Sequence, residues 1–112
     1  MQEKIKWLLL MVVLLATTFS IRSQVCAASP PAPSDLQVGG FPGGQIRVAW
    51  TDNATDETFF EVERSQSGRD GYMLLTTLPA NTTVYTDTTV ALETTFWYRV
   101  RACNGDGCSA YS

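Results

Sequence analysis

From Leu36 to Ala102, apolar side chains recur at every second position in short runs, with polar residues between them. Side chains on an extended strand point alternately to opposite faces, so this period of two marks strands with one buried face. The pattern predicts a first strand carrying Leu36 and Val38, ended by Gly39-Gly40 and Pro42-Gly43-Gly44. A second strand follows, with Ile46, Val48 and Trp50 inward and Arg47 and Ala49 outward. The polar stretch TDNATDET then makes a loop before a third strand at Phe60-Glu61-Val62-Glu63. Gly68 to Gly71 is a turn, Tyr72 to Leu78 a fourth strand and Thr83 to Thr86 a fifth. Val90 to Thr95 leads into a sixth, where Phe96, Tyr98, Val100 and Ala102 alternate with Trp97, Arg99 and Arg101. Asn104-Gly105-Asp106-Gly107 supplies the residues that tolerate positive φ in a hairpin turn. Cys103 and Cys108 flank that turn within disulfide reach. Turns at short intervals and no persistent helical period indicate an all-β sandwich.

The N-terminus is of another kind. Lys4 and Lys6 precede an apolar run from Trp7 to Ala16, which is short of the roughly 20 residues needed to cross a bilayer but suits a signal-peptide core. Val25 and Ala27 satisfy the small-x-small rule, so cleavage is expected after Ala27. Extension of the run to Ile21 leaves an uncleaved anchor as the alternative; a lipoprotein is disfavoured by Ser23, Gln24 and Val25 ahead of Cys26. The chain then divides into a signal peptide at 1–27, a Pro-rich linker at 28–34 and one domain at 35–112. Removal of Cys26 leaves an even cysteine count, as a secreted, oxidised domain should show. The formal charge of −3 offers no basic footprint for nucleic acid or anionic lipid, and no membrane contact is expected after signal cleavage. Histidine is absent altogether, which disfavours a catalytic triad or a zinc site, and no cofactor is expected.

Three stretches carry a resemblance to a known family: APSDLQV at the start, IRVAWTDNATDETFFEVERS in the middle, and TDTTV followed by FWYRVRA near the end. Together they resemble the fibronectin type III domain, in particular its secreted bacterial form. The resemblance implies an immunoglobulin-like β-sandwich of about seven strands, with Trp50, Phe60, Val62, Tyr98, Val100 and Ala102 in the core. The chain departs from the family in several places. Phe96 stands where the family's tyrosine ties a strand crossing to backbone, Leu92-Glu93 replaces a Pro-Gly turn, and Phe59 replaces a glycine. The residues after the hairpin are too few for a full last strand, so a truncated seventh strand and an uncovered sixth are expected, with a tendency to pair with another chain.

The candidate sites are modest. Asp52, Asn53, Asp56 and Glu57 crowd one loop with oxygen ligands, but without the ordered spacing of a calcium loop they read better as turn caps. Glu61 and Glu63 point the same way from one strand and so do not flank a cleft as a catalytic carboxylate pair would. The outward residues Trp97, Arg99 and Arg101 are the possible binding face. If the third and sixth strands pair, Glu61 and Glu63 lie across from them, and the bland alternative is a salt-laced sheet face with an arginine over Trp97. Gly68-Arg69-Asp70-Gly71 is not an integrin-type Arg-Gly-Asp order. Asn53-Ala54-Thr55 and Asn81-Thr82-Thr83 match the glycosylation sequon. These readings point to a secreted, non-enzymatic spacer or protein-binding module whose partners are other domains or extracellular proteins. The alternatives are a polysaccharide-binding accessory module using Trp97, or the leading part of a secreted hydrolase.

Overall fold

The computed structural model describes residues 28–112, and the expectations for the signal peptide and Cys26 lie outside the described residues. Seven strands are present there: β1 (Ser34–Phe41), β2 (Gln45–Thr51), β3 (Phe59–Ser65), β4 (Met73–Pro79), β5 (Val84–Asp87), β6 (Trp97–Asn104) and β7 (Gly107–Cys108). They form two antiparallel sheets, one ordered β1-β2-β5 and the other β4-β3-β6-β7. The all-β sandwich read from the alternation is therefore the observed architecture.

Between the sheets lie Val48, Trp50, Phe60, Val62, Tyr98, Val100 and Ala102, most of the inward set that the alternation predicts, while Ile46 and Phe96 are partly buried against it. Their placement follows from register: Val62 sits opposite Val100 and Phe60 opposite Ala102, so the inward residues of β3 and β6 stand side by side. Each large apolar side chain buried here is worth roughly 1.5–3 kcal/mol. Trp50 and Phe60 meet with ring centroids 5.6 Å apart at a tilt of 54°, a favourable aromatic geometry. The indole N–H of Trp50 is the one buried side-chain donor without a partner among the described residues, and it costs part of that gain.

Three boundaries differ from the pattern. β1 does not end at Gly39-Gly40: both pair with β2, opposite Arg47 and Ile46, and the chain turns only at Pro42 to Gly44, where Gly43 and Gly44 take positive φ. A glycine weakens a strand but leaves its N–H and C=O free to join the ladder. The linker is docked, because Pro30 and Pro33 are buried and the Asn53 side-chain amide donates to the Ala32 carbonyl and the Ser34 hydroxyl. Finally, β7 is short as expected, but the cover over β6 does not stop with it. The Ser109 N–H donates to the Ala102 carbonyl at 2.8 Å and the Ser112 N–H to the Val100 carbonyl at 2.9 Å.

Candidate functional site

The outer face of the four-stranded sheet carries the candidate binding residues. Pairing of β3 with β6 sets Glu61 opposite Arg101 and Glu63 opposite Arg99. Both pairs close: Arg99 Nε donates to Glu63 at 2.6 Å and Arg101 Nε to Glu61 at 2.7 Å, each with a second guanidinium nitrogen on the same carboxylate oxygen. The arginines stack, but not on Trp97 as expected. The Arg99 guanidinium lies 4.1 Å from the Tyr72 ring and 3.8 Å from that of Tyr111, and Arg101 lies 4.8 Å from Tyr111. Tyr111 also donates its hydroxyl to Glu63 at 2.8 Å. Burial pushes the Glu63 carboxyl up, but the Tyr111 hydrogen bond and the Arg99 and Arg101 charges outweigh it and hold the group below its ordinary value.

Trp97 is outward and 42 % exposed, but one side of its ring is covered. A Cβ on Gly68 would fall 2.7 Å from the indole, so the glycine backbone lies directly against it. Gly68 has a φ of +73°, which also favours glycine there. Trp97 is thus a lid on the 65–71 loop. Beside it, an open cleft of about 530 Å³ is lined by Ser65, Ser67, Asp70, Leu75 and Phe96 among others. Its hydroxyls are spent inside the loop: those of Ser65 and Ser67 donate to the Asp70 carbonyl, and Ser67 also donates to the Asp70 carboxylate.

Sequence reasoning missed the buried counterpart of this face. Asp87, at the end of β5, is fully buried. It accepts from the Thr89 N–H at 2.9 Å and hydroxyl at 2.7 Å, from Tyr98 at 2.8 Å and from Arg64 at 2.7 Å. Arg64 in turn lies over the Phe96 ring at 4.4 Å. Burial raises the carboxyl pKa, but the hydrogen bonds from Thr89, Tyr98 and Arg64 together lower it below the ordinary value, while burial and the Asp87 charge push the Tyr98 phenol up. Position 96 carries Phe and makes no such tie to backbone; the Tyr98 hydroxyl two residues on donates instead to a carboxylate on β5. The polar dipeptide Thr86-Asp87 before Thr88-Thr89 was the only sequence signal, and it is indistinguishable from an ordinary turn.

The acidic loop behaves as capping chemistry. Asp52 accepts the Ala54 N–H, Glu57 accepts the Asn81 N–H from the β4–β5 turn, and Asn104 donates to the Asp56 carbonyl. Burial and the nearby Glu57 charge raise the Asp52 carboxyl against the lowering effect of the Ala54 N–H. At the hairpin, Cys103 and Cys108 are bonded across a Cα separation of 4.0 Å. They occupy a pair without mutual backbone hydrogen bonds, where side chains approach most closely. A Glu61 oxygen lies within 4.8 Å of both sulfurs, but the disulfide removes the thiolates a metal would need.

No family model and no curated protein matches this chain. Solved structures do. A structure titled FN3tt superposes with a TM-score of 0.67 at 19% identity, covering 77% of this chain and 90% of that one. The fold is that of a fibronectin type III domain. An Fn3-like protein from Clostridium thermocellum gives a TM-score of 0.63 at 27% identity over 75% of this chain and 90% of its own. Larger proteins match over a small part of their length. The chain spans 16% of a structure of titin kinase and its flanking domains (TM-score 0.65, 22% identity, 77% of this chain). It spans 28% of pectate lyase PelI from Erwinia chrysanthemi in complex with tetragalacturonic acid (TM-score 0.60, 18% identity, 77% of this chain). The fibronectin type III fold hosts many functions, so the activity must be argued from the site.

Proposed function

We propose that this fibronectin type III domain is a non-enzymatic spacer or protein-binding module of a secreted, extracellular protein. The observation that carries the reading is the state of the candidate face. Its arginines are paired with Glu61 and Glu63, and the rings beside them are stacked on guanidinium groups. Reactive chemistry needs groups left free to meet a substrate, whereas these are spent on one another, as suits a scaffold that keeps its shape between neighbours. The hairpin disulfide supports the oxidising setting.

A second reading, a polysaccharide-binding accessory module, is favoured by the partial likeness to pectate lyase and the exposed half of Trp97. Affinity electrophoresis of the wild type and Trp97→Ala in gels containing polygalacturonate or other plant and microbial polysaccharides separates the two. Equal, unretarded migration of both proteins is expected. Retardation of the wild type that Trp97→Ala abolishes would overturn the spacer reading in favour of the accessory module.

A further inference from the structure

Among the described residues, one group of three side chains able to ligate a metal has its ligand atoms within 4.8 Å of one another: the Glu61 carboxylate and the sulfurs of Cys103 and Cys108. Three strands bring them together. Phe59 pairs with Cys103 and Glu61 with Arg101, so Glu61 and Cys103 are diagonal neighbours on the outer face, and Cys103 stands opposite Cys108 across the hairpin. Bonds that do not involve the sulfurs keep this arrangement. The Thr58 N–H donates to the Cys103 carbonyl at 2.8 Å, Asn104 pairs with Gly107, and the Asp106 N–H donates to the Asn104 side-chain oxygen at 2.9 Å. The two cysteines therefore stay opposite each other when the S–S bond is open. Glu61 keeps one oxygen in reserve, because both Arg101 nitrogens lie on Oε2 and leave Oε1 without a hydrogen bond or ion pair among the described residues.

We propose that reduction of the hairpin disulfide converts this cluster into a binding site for a thiophilic divalent cation of the zinc class, held by the Cys103 and Cys108 sulfurs and one Glu61 oxygen, with water in the fourth position. Ligand atoms of a tetrahedral zinc site stand roughly 3–4 Å apart, inside the span these three already occupy. Charge also fits. Two thiolates and one carboxylate carry three negative charges, which a divalent cation and the adjoining Arg101 guanidinium together balance. Thiolates select zinc and softer cations over calcium and magnesium, which take oxygen ligands. Cys103 is fully buried while Cys108 is half-exposed, so reductant and cation both approach from the Cys108 side. A dithiol reductant supplies the electrons. Its thiolate attacks the Cys108 sulfur, the S–S bond breaks and Cys103 leaves as a thiolate; the second reductant thiol then frees Cys108, so that two electrons pass to the protein and the reductant closes into a cyclic disulfide. The cation binds both sulfurs as thiolates and releases to solvent any protons they carry. While it is bound, the sulfurs are occupied and the disulfide does not re-form.

The test is a cadmium titration of the purified chain, reduced with a dithiol and freed of it by gel filtration under argon, with thiolate-to-cadmium charge-transfer absorption followed in the ultraviolet. One Cd2+ per chain is expected to bind, and the oxidised chain should give no such band. A large excess of Ca2+ or Mg2+ should leave the band unchanged. Glu61→Gln should weaken the affinity at least about tenfold, the lower end of what loss of even an outer partner costs a metal site. Glu63→Gln, on the same face and in an equivalent ion pair with Arg99, should leave the affinity as it is. The wild-type titration decides whether the site exists even where Glu61→Gln fails to fold. No charge-transfer band on reduction, one Cd2+ shared by two chains, displacement by Ca2+, or equal affinity in Glu61→Gln and wild type would each overturn the proposal.

Discussion

Asp87 and Glu63 are held in the same way at two depths. Each carboxylate accepts from one arginine and one tyrosine, Arg64 and Tyr98 around Asp87, Arg99 and Tyr111 around Glu63. In both, the hydrogen bonds lower the carboxyl pKa against burial. The difference lies in solvent. The Asp87 side chain has no exposure, and its Arg64 partner is 23% exposed; Glu63 is 12% exposed and Arg99 32%. Removing water strengthens attraction but makes any missing partner expensive, whereas at the surface water replaces a lost partner cheaply. The inner trio therefore locks the crossing from β5 to β6, while the outer trio mostly orients a face.

Four substitutions sharpen or break that comparison. Asp87→Asn leaves Arg64 beside a neutral partner and should cost about 3–5 kcal/mol in a denaturant melt. The same variant should alter the acid limb. Because the folded Asp87 carboxyl lies below its unfolded value of about 3.9, its contribution is complete above that pH and is lost as pH falls through the folded value. Asp87→Asn should flatten the loss of stability below about pH 4. An unchanged acid limb would assign it to other carboxylates.

Tyr98→Phe keeps the ring in the core and removes one of the hydrogen bonds to a buried charge. It should cost about 1–3 kcal/mol by thermal melt, with no change of fold in the far-ultraviolet. Glu63→Gln should cost under about 1 kcal/mol, and that cost should shrink in molar salt, since a pair at the surface is screened and Asp87 with Arg64 is not. A Glu63 variant as damaging as Asp87→Asn would refute the claim that depth separates the trios. Tyr111→Phe should be smallest, a few tenths of a kcal/mol, because its ring remains over Arg99 and water replaces the hydroxyl bond.

The alternation of apolar and polar residues determined the inward set from Val48 to Ala102, the turn at Asn104 to Gly107 gave the partners Cys103 and Cys108, and the charges facing one another across β3 and β6 followed once those strands were taken to pair. Those features are local or follow from a period of two, so one dimension suffices to find them. What folding decided was which polar residues left the surface. Asp87 and Glu57 look like their neighbours in a threonine-rich or acidic stretch, yet each is buried because a residue distant in sequence, Tyr98 or Asn81, brings it a hydrogen bond. Tyr72 and Tyr111 likewise lie far apart along the chain and meet only across Arg99. A buried carboxylate is stable only when its partners arrive with it. Those partners come from other strands and the turns that join them, so their arrival is settled by the register and stacking of two sheets.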